Sequence, residues 1–221
     1  MDELINFSKR LSPFVVGVEG NISASIGDKI IIKASGTDLR NLSLKDLTEC
    51  DLDGIPTRKD SKKPSIELGF HKWLLSQNNI NYVAHTHPVN TLKILCSSCV
   101  ENFSQIRLFP DQIVFNGKTS CVVNYANPGI ELLEEIISSV DQYTRIEGVF
   151  PKLILLKNHG IICAASTINE CVIATEICEK SAEIYIGAKS LGNVNRIVIN
   201  NIERLTNDKN ETYRQELIRN S

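Results

Sequence analysis

The chain has 221 residues, of which 42% are hydrophobic, and its formal net charge at pH 7 is -2. This length and composition suffice to bury one sizeable core, so we predict a single domain over residues 1–221. Acidic and basic residues are interspersed without a basic stripe, which argues against nucleic acid as a partner. No apolar run approaches the roughly 18 residues of a membrane-spanning helix, so no membrane association is predicted.

The sequence contains seven cysteines, an odd number in a chain without a recognisable secretory signal. This favours reduced thiols and a cytoplasmic location. Cys96 and Cys99 have the C-x-x-C spacing, but no second pair follows at the distance typical of a zinc ribbon. We therefore interpret them as packing residues at a helix end.

The hydrophobic pattern predicts alternating helices and strands. The predicted helices cover residues 2–11, a short turn after Ser43, 66–75, 89–97, 128–143 and 168 to about 191. The predicted strands include a hairpin that turns at Gly27-Asp28 into residues 29–33, followed by residues 80–87, 113–115, 121–123, 153–156 and 161–164. Residues 195–221 are mostly polar and are predicted to form a terminal helix or a tail.

Two histidines stand at the end of one predicted strand. Residues 80–84 favour β-structure, and Pro88 cannot continue a β-ladder, so the strand ends at His87. Because side chains alternate faces along a strand, His85 and His87 point to the same side. We predict that both imidazoles bind one metal ion at this strand end, with two solvated side chains as the alternative.

A two-histidine pair needs a third protein ligand if one coordination position is to stay open for substrate. The chain has only two further histidines, His71 and His159. His159 follows the apolar strand 153–156 and begins a tight turn at Gly160, so it is predicted as the third ligand. His71 lies one helical turn beyond Glu67 and is predicted to be a packed or hydrogen-bonded side chain.

Two segments have the composition of an anion site. The loop Ala34-Ser35-Gly36-Thr37 offers backbone N–H groups and hydroxyls without bulky side chains, although an ordinary loop fits this composition equally well. Ser65 starts the helix predicted at residues 66–75, whose first turn has unpaired N–H groups and partial positive charge. Glu67 in that turn is either a partner of the helix dipole or a catalytic acid–base, and its position in the sequence favours the dipole role.

Four segments together resemble the class II aldolase/adducin family. In chain order they are Gly20-Asn21-Ile22-Ser23, Lys63-Pro64-Ser65-Ile66-Glu67, His85-Thr86-His87-Pro88 and Asn158-His159-Gly160. The resemblance extends from about residue 1 to about residue 191. Members of this family include fuculose phosphate aldolase, ribulose phosphate 4-epimerase and methylthioribulose phosphate dehydratase.

The resemblance implies a fold and an assembly that the periodicity alone does not reveal. The implied fold is an α/β domain of three layers, in which a mostly antiparallel central sheet is covered by helices on both faces. The implied assembly is a cyclic homotetramer with active sites at the subunit interfaces.

The resemblance also implies a reaction in sugar metabolism. It is the retro-aldol cleavage of a ketose 1-phosphate to dihydroxyacetone phosphate and an aldehyde. In this scheme zinc (Zn²⁺) is the cofactor and Glu67 moves the proton as general acid–base. The implied metal ligands are His85, His87 and His159, and the positions that match the phosphate site are Asn21, Ser35, Gly36 and Ser65.

Two departures separate this chain from the aldolases that it resembles. Those enzymes have Ser-Ser-Glu where this chain has Ser65-Ile66-Glu67, so an altered anion pocket is expected. They also use a tyrosine from the loop after the metal strand as a proton donor, whereas residues 101–120 contain none. The candidates for this proton donor in this chain are Asp111, Tyr125, Tyr185 and Tyr213.

Other reactions of the family remain open. A methylthioribulose phosphate dehydratase-like lyase is the second candidate, because that enzyme has a similar Pro-Ser-x-Glu segment. A pentulose phosphate 4-epimerase ranks below it, because the epimerases have aspartate at the position of Glu67. A non-enzymatic, adducin-like binding protein ranks last, because that branch lacks the three metal histidines.

Overall fold

The computed structural model describes residues 1–219, so the last two residues of the predicted terminal segment 195–221 lie outside the described part. The strands are β1 Asn21–Ile26, β2 Lys29–Lys33, β3 Leu47–Asp51, β4 Tyr82–Thr86, β5 Cys121–Val123, β6 Leu153–Leu156 and β7 Gly160–Ala165. The helices are α1 Asp2–Leu11, α2 Leu68–Leu75, α3 Val89–Leu95, α4 Val100–Gln105, α5 Pro110–Asn116, α6 Ile130–Glu147, α7 Ile168–Leu191, α8 Ile199–Thr206 and α9 Lys209–Arg219. Short 3₁₀ turns lie at Ser12–Phe14, Leu39–Asn41 and Leu44–Asp46.

The strands form one seven-stranded sheet in the order β3-β2-β1-β4-β7-β6-β5. The sheet is mixed, which corrects the expectation of a mostly antiparallel sheet: β5 pairs in parallel with β6. The physical reason is the connection between these two strands, because α6 carries the chain back across the sheet before β6 begins. The other strand pairings in the described chain are antiparallel.

Helices flank the sheet on both faces, and each face has its own core. Helices α1 and α7 pack on one face, where Ala84 of β4 is buried with Phe7 of α1. Helices α2 and α6 pack on the other face, where Val83 is buried with Leu74 of α2. Neighbouring residues of β4 thus contribute to opposite cores, as the alternation of side chains along a strand requires.

One predicted strand is wrong. Residues 113–115 belong to helix α5, not to a strand paired with β5. Pro110 stands in the first turn of this helix, and Gly117 ends it with a φ of 83° that favours glycine. A short apolar run does not distinguish a buried strand from a helix, and here the flanking Pro and Gly decide for the helix.

No helix within residues 1–219 combines the length and apolar character that crossing a membrane requires.

The strand pairing gathers the predicted site segments at one end of the central strands. These strand ends form the edge of the sheet that carries the site. Asn21 begins β1 and pairs with His85 near the end of the antiparallel β4. Thr86 of β4 pairs with Ile161, the second residue of β7. Asn158 turns the chain from β6 into β7 with a φ of 56°, a conformation that Asn tolerates. His159 therefore comes directly beside the end of β4.

Gly160 permits this close approach. A Cβ atom on Gly160 would lie 2.5 Å from Cδ2 of His87 and 2.6 Å from the carbonyl oxygen of Thr86. Both distances are too short for van der Waals contact, and backbone atoms cannot move aside without distorting β4.

We expect Gly160→Ala to lower the free energy of unfolding by about 1–3 kcal/mol, because it overpacks the contact between β7 and the histidine rings. Chemical denaturation measures this change. Gly187→Ala is the matched control, because a Cβ there meets nothing within 4 Å and the residue lies in helix α7. The control should be neutral or stabilising by up to about 1 kcal/mol. Equal stability of the two variants would contradict the steric account.

Candidate metal centre

Three histidines that are distant in the sequence converge at this sheet edge. Nε2 of His85 lies 3.0 Å from Nε2 of His87. The ring of His159 lies 4.8 Å from that of His85 and 5.3 Å from that of His87, measured between centroids. One nitrogen from each ring falls within 4.8 Å of the others, a geometry that could hold a metal ion. The three predicted ligands are thus brought together.

Hydrogen bonds on the far side of two rings fix which nitrogen carries the proton. Nδ1 of His85 lies 2.9 Å from the carbonyl oxygen of Ile161, and Nδ1 of His87 lies 3.1 Å from Oε2 of Glu19. Neither a carbonyl nor an ionised carboxylate can donate, so each Nδ1 carries the hydrogen. Each Nε2 then presents its lone pair to the centre of the cluster, as metal-binding histidines commonly do.

This arrangement fits a divalent cation. The lone pairs of His85 Nε2 and His87 Nε2 face each other at 3.0 Å, which is unfavourable unless a positive charge lies between them. His159 adds a third imidazole, and neutral imidazole suits zinc, copper, iron and nickel.

Burial keeps the rings of His85 and His159 in the neutral form that binds metal. Desolvation lowers the pKa of His85 well below its ordinary value, and the neighbouring His87 and His159 lower it further. Burial also lowers the pKa of His159, an effect that the Glu67 carboxylate opposes. Protons therefore compete weakly for the nitrogens.

Glu67 points its carboxylate into the histidine cluster. Its Oε2 lies 3.5 Å from Nε2 of His85, and its Oε1 lies 3.4 Å from Nε2 of His159. The residue occupies the N-cap position of helix α2, but its side chain caps no backbone N–H group there. The helix-dipole role, which the sequence pattern favoured, therefore does not describe its contacts.

Asn21 and Ser65 lie beside this carboxylate. Nδ2 of Asn21 donates to Oε2 of Glu67 at 2.7 Å and to Oγ of Ser65 at 3.2 Å. His71 is fully buried and hydrogen-bonds with Ser23 and Asn21, as predicted for a packed histidine.

Ser35 and Gly36 lie at the same edge in an exposed loop. The N–H group of Ser35 donates to the carbonyl oxygen of Lys63, and that of Ser65 donates to the carbonyl oxygen of Lys33. These bonds tie the two candidate anion segments together. Gly36 adopts a φ of 72°, which accounts for glycine at this turn.

Sequence reasoning missed two residues of this region. Glu19 orients His87, and Lys33 is buried below the anion loop, where its Nζ donates to the carbonyl oxygens of Val18 and Thr37. In the sequence, Glu19 lies two positions before Asn21, and Lys33 directly precedes the loop 34–37. These positions were the signals that could have identified the two residues. An isolated charged residue is usually solvated, so these signals were weak.

The four candidate proton donors have different surroundings. Asp111 is paired with Arg214 of helix α9. Tyr185 is buried on the sheet face opposite the histidines and donates to Asn102. Tyr125 and Tyr213 are exposed, and Tyr125 follows the carboxyl end of β5.

Comparison with known proteins matches the chain to one family. Residues 8–186 match the profile of the class II aldolase and adducin N-terminal domain. An L-fuculose phosphate aldolase from Methanocaldococcus jannaschii is 31% identical over 78% of this chain and 87% of its own length. A methylthioribulose-1-phosphate dehydratase from Geobacillus thermodenitrificans is 27% identical over 64% of this chain and 68% of its own.

A solved L-fuculose 1-phosphate aldolase has the same fold, with a TM-score of 0.78 at 22% identity over 96% of this chain and 95% of that chain. The matched family and the similar proteins are class II aldolases. This confirms the predicted enzyme class, a metal-dependent class II lyase. The matches in sequence and the shared fold show that this chain belongs to the class II aldolase and adducin family.

Proposed function

We propose that this protein is a zinc-dependent aldolase that cleaves a ketose 1-phosphate into dihydroxyacetone phosphate and an aldehyde. The observation that carries the proposal is the convergence of three imidazoles with the carboxylate of Glu67, which lies 3.4–3.5 Å from two of them. His85, His87 and His159 would hold the ion, and zinc is proposed because it favours a site of three protein ligands with one open position. The bound ion would supply a Lewis acid that polarises the ketone carbonyl.

Glu67 is proposed to carry the proton. In the cleavage direction the bond between C3 and C4 breaks, its electron pair remains on C3, and the C4 hydroxyl loses its proton to become an aldehyde. Protonated Glu67 then donates its proton to C3, which completes dihydroxyacetone phosphate. In the reverse direction the carboxylate removes that proton, so one group serves as acid and as base.

The C4 hydroxyl needs a second group that accepts its proton during cleavage, which a tyrosine does only as its phenolate. In the reverse direction the phenol of the same group donates this proton to the aldehyde oxygen. Tyr125 is the candidate that the sheet favours, because β5 and β6 run in parallel and their carboxyl ends lie at the same edge as His159. In the homotetramer that we propose, with active sites at subunit interfaces, an exposed tyrosine is also available to the site of a neighbouring chain.

Asn21, Ser35, Gly36 and Ser65 are proposed to form the phosphate site. Asn21 contributes through Ser65, because its NH₂ group donates to Oε2 of Glu67 and to Oγ of Ser65. The buried ammonium group of Lys33 supports an anion at this place, because it adds positive charge beneath the loop. Ile66 separates Ser65 from Glu67, and its side chain is 72% exposed. The aldolases that this chain resembles have a serine hydroxyl at this position.

A dehydratase reaction is the second candidate. The similarity to a methylthioribulose-1-phosphate dehydratase favours it, and the same metal and carboxylate would assist loss of water next to the carbonyl. The two reactions differ in their products, because only the aldolase releases dihydroxyacetone phosphate.

We expect the zinc-loaded protein to release dihydroxyacetone phosphate from L-fuculose 1-phosphate or from another ketose 1-phosphate in a screen. A coupled assay for dihydroxyacetone phosphate and mass spectrometry of the products measure this. Methylthioribulose 1-phosphate is the parallel substrate. Its conversion to a product lighter by one water, without dihydroxyacetone phosphate, would instead establish the dehydratase.

We expect His159→Ala to lose both zinc and turnover while the fold persists, because two imidazoles cannot retain the ion against competing water. Elemental analysis should find on the order of one zinc per chain in the wild type and far less in the variant. Lys157→Ala, a change in the same turn outside the cluster, is the control and should keep the metal. Full activity of His159→Ala would refute the three-histidine site.

We expect Glu67→Gln to keep its zinc and to lose turnover by a factor of about 10²–10⁴, the usual contribution of general acid–base catalysis. The amide keeps the shape of the carboxylate but cannot exchange a proton with substrate. Glu101→Gln, at a largely exposed carboxylate, is the control for the chemical change. If Glu67→Gln keeps its turnover, Glu67 has a structural role and does not carry the proton.

A further inference from the structure

A chain of buried polar side chains leads away from Oε2 of Glu67. Nδ2 of Asn21 donates to Oε2 of Glu67 at 2.7 Å. Oδ1 of Asn21 contacts Nε2 of His71, and Nδ1 of His71 lies 2.7 Å from Oγ of Ser23. Each of these four residues is less than 10% exposed, so water does not replace these bonds.

The Asn21 amide fixes the direction of every hydrogen bond in this chain. Its NH₂ group donates to Glu67, which turns its Oδ1 towards His71. Oδ1 can only accept, so Nε2 of His71 carries the ring hydrogen and Nδ1 is the acceptor. The hydroxyl of Ser23 must then donate to Nδ1. Ser23 and His71 thus complete the hydrogen bonds of this orientation of the Asn21 amide.

His71 takes part as a neutral ring. Complete burial lowers its pKa to about 3, while the charge of Glu67 opposes this shift only in part. A neutral ring has one donor and one acceptor nitrogen, which is the pattern that the chain requires.

We propose that His71 and Ser23 are positioning residues that lock the Asn21 amide, so that Oε2 of Glu67 is anchored and Oε1 is left to exchange the proton with substrate. Both oxygens face the histidine cluster, but only Oε2 accepts a hydrogen bond from Asn21, whereas Oε1, 3.4 Å from Nε2 of His159, does not. This inference rests on the proposed role of Glu67 as proton carrier. An anchored carboxylate keeps its reactive oxygen in place without reorganisation during the reaction.

His71 also has a packing role that the test must separate from positioning. Its ring stacks on Phe70 with 4.7 Å between centroids, and Phe70 in turn meets the edge of His85. Any replacement of the ring disturbs this stack. A single substitution would therefore not distinguish lost packing from a lost hydrogen bond.

Two amide variants provide a matched pair. In His71→Gln the longer side chain brings an NH₂ group to the place of Nε2, where it can still donate to Asn21. In His71→Asn the shorter side chain reaches only the place of Nδ1, so the donor to Asn21 is lost. Both variants remove the same ring from the same stack.

The rate to measure is the incorporation of solvent deuterium into dihydroxyacetone phosphate, followed by NMR with the zinc-loaded protein. This exchange isolates the proton transfer and does not depend on which aldehyde the enzyme uses. We expect His71→Asn to lower kcat for exchange by about tenfold or more, the effect of one lost hydrogen bond to a polar site, with KM and zinc content unchanged. We expect His71→Gln to recover most of this loss.

Equal losses in the two variants, or no loss in either, would overturn the positioning role. If neither variant folds, Ser23→Ala retains the ring and decides instead, with an expected loss of kcat of about two- to fivefold. An unchanged rate in Ser23→Ala would then overturn it.

Glu67→Gln, measured in the same assay, separates this inference from the proposed function. If Glu67→Gln exchanges at the wild-type rate, the proposed function fails and the positioning role fails with it. If Glu67→Gln is slow but the two His71 variants behave alike, only the positioning role fails. In the Glu67→Gln background, His71→Asn should add no further loss, because the two changes act on the same step.

Discussion

The site depends on the antiparallel register of β1, β4 and β7. Because Asn21 pairs with His85, and Thr86 pairs with Ile161, the start of β1, the end of β4 and the start of β7 meet at one edge of the sheet. Side chains at these strand ends and on the residues next to them, such as His87 and His159, then converge without a long loop to carry them. A rigid sheet can hold ligand atoms within the tolerance that metal binding requires, which a flexible loop would not ensure.

Electrostatics complements this register. Burial removes the charge from His85, His159 and His71, so the carboxylate of Glu67 faces neutral rings. Three neutral imidazoles preserve the full charge of a bound divalent ion and leave it a strong Lewis acid. Glu19, which orients His87, and Lys33, which is buried beneath the anion loop, add opposite charges next to the cluster. The region therefore suits a cation at its centre and an anionic substrate beside it.

Much of the secondary structure was predictable from local pattern. The hairpin of β1 and β2 follows from its Gly-Asp turn, and α7 begins at the N-cap Thr167, whose side chain accepts from the N–H group of Glu170. Residues 113–115 were mistaken for a strand because a short apolar run has no distinctive period. The mixed sheet was also missed, because the direction of β5 depends on the crossover through α6. The residues of β5 itself do not indicate this direction.

The sequence by itself determined the types and spacing of the reactive residues: two histidines one strand repeat apart, a third before a glycine, and a glutamate at a helix start. It also determined the family, since four ordered motifs carry the resemblance. Only the tertiary structure decided that Glu67 faces the histidines and not its helix, and that His71 reaches the carboxylate through Asn21. These contacts join residues about 50 positions apart, and a contact of that kind depends on strand register and helix packing, which local pattern does not encode.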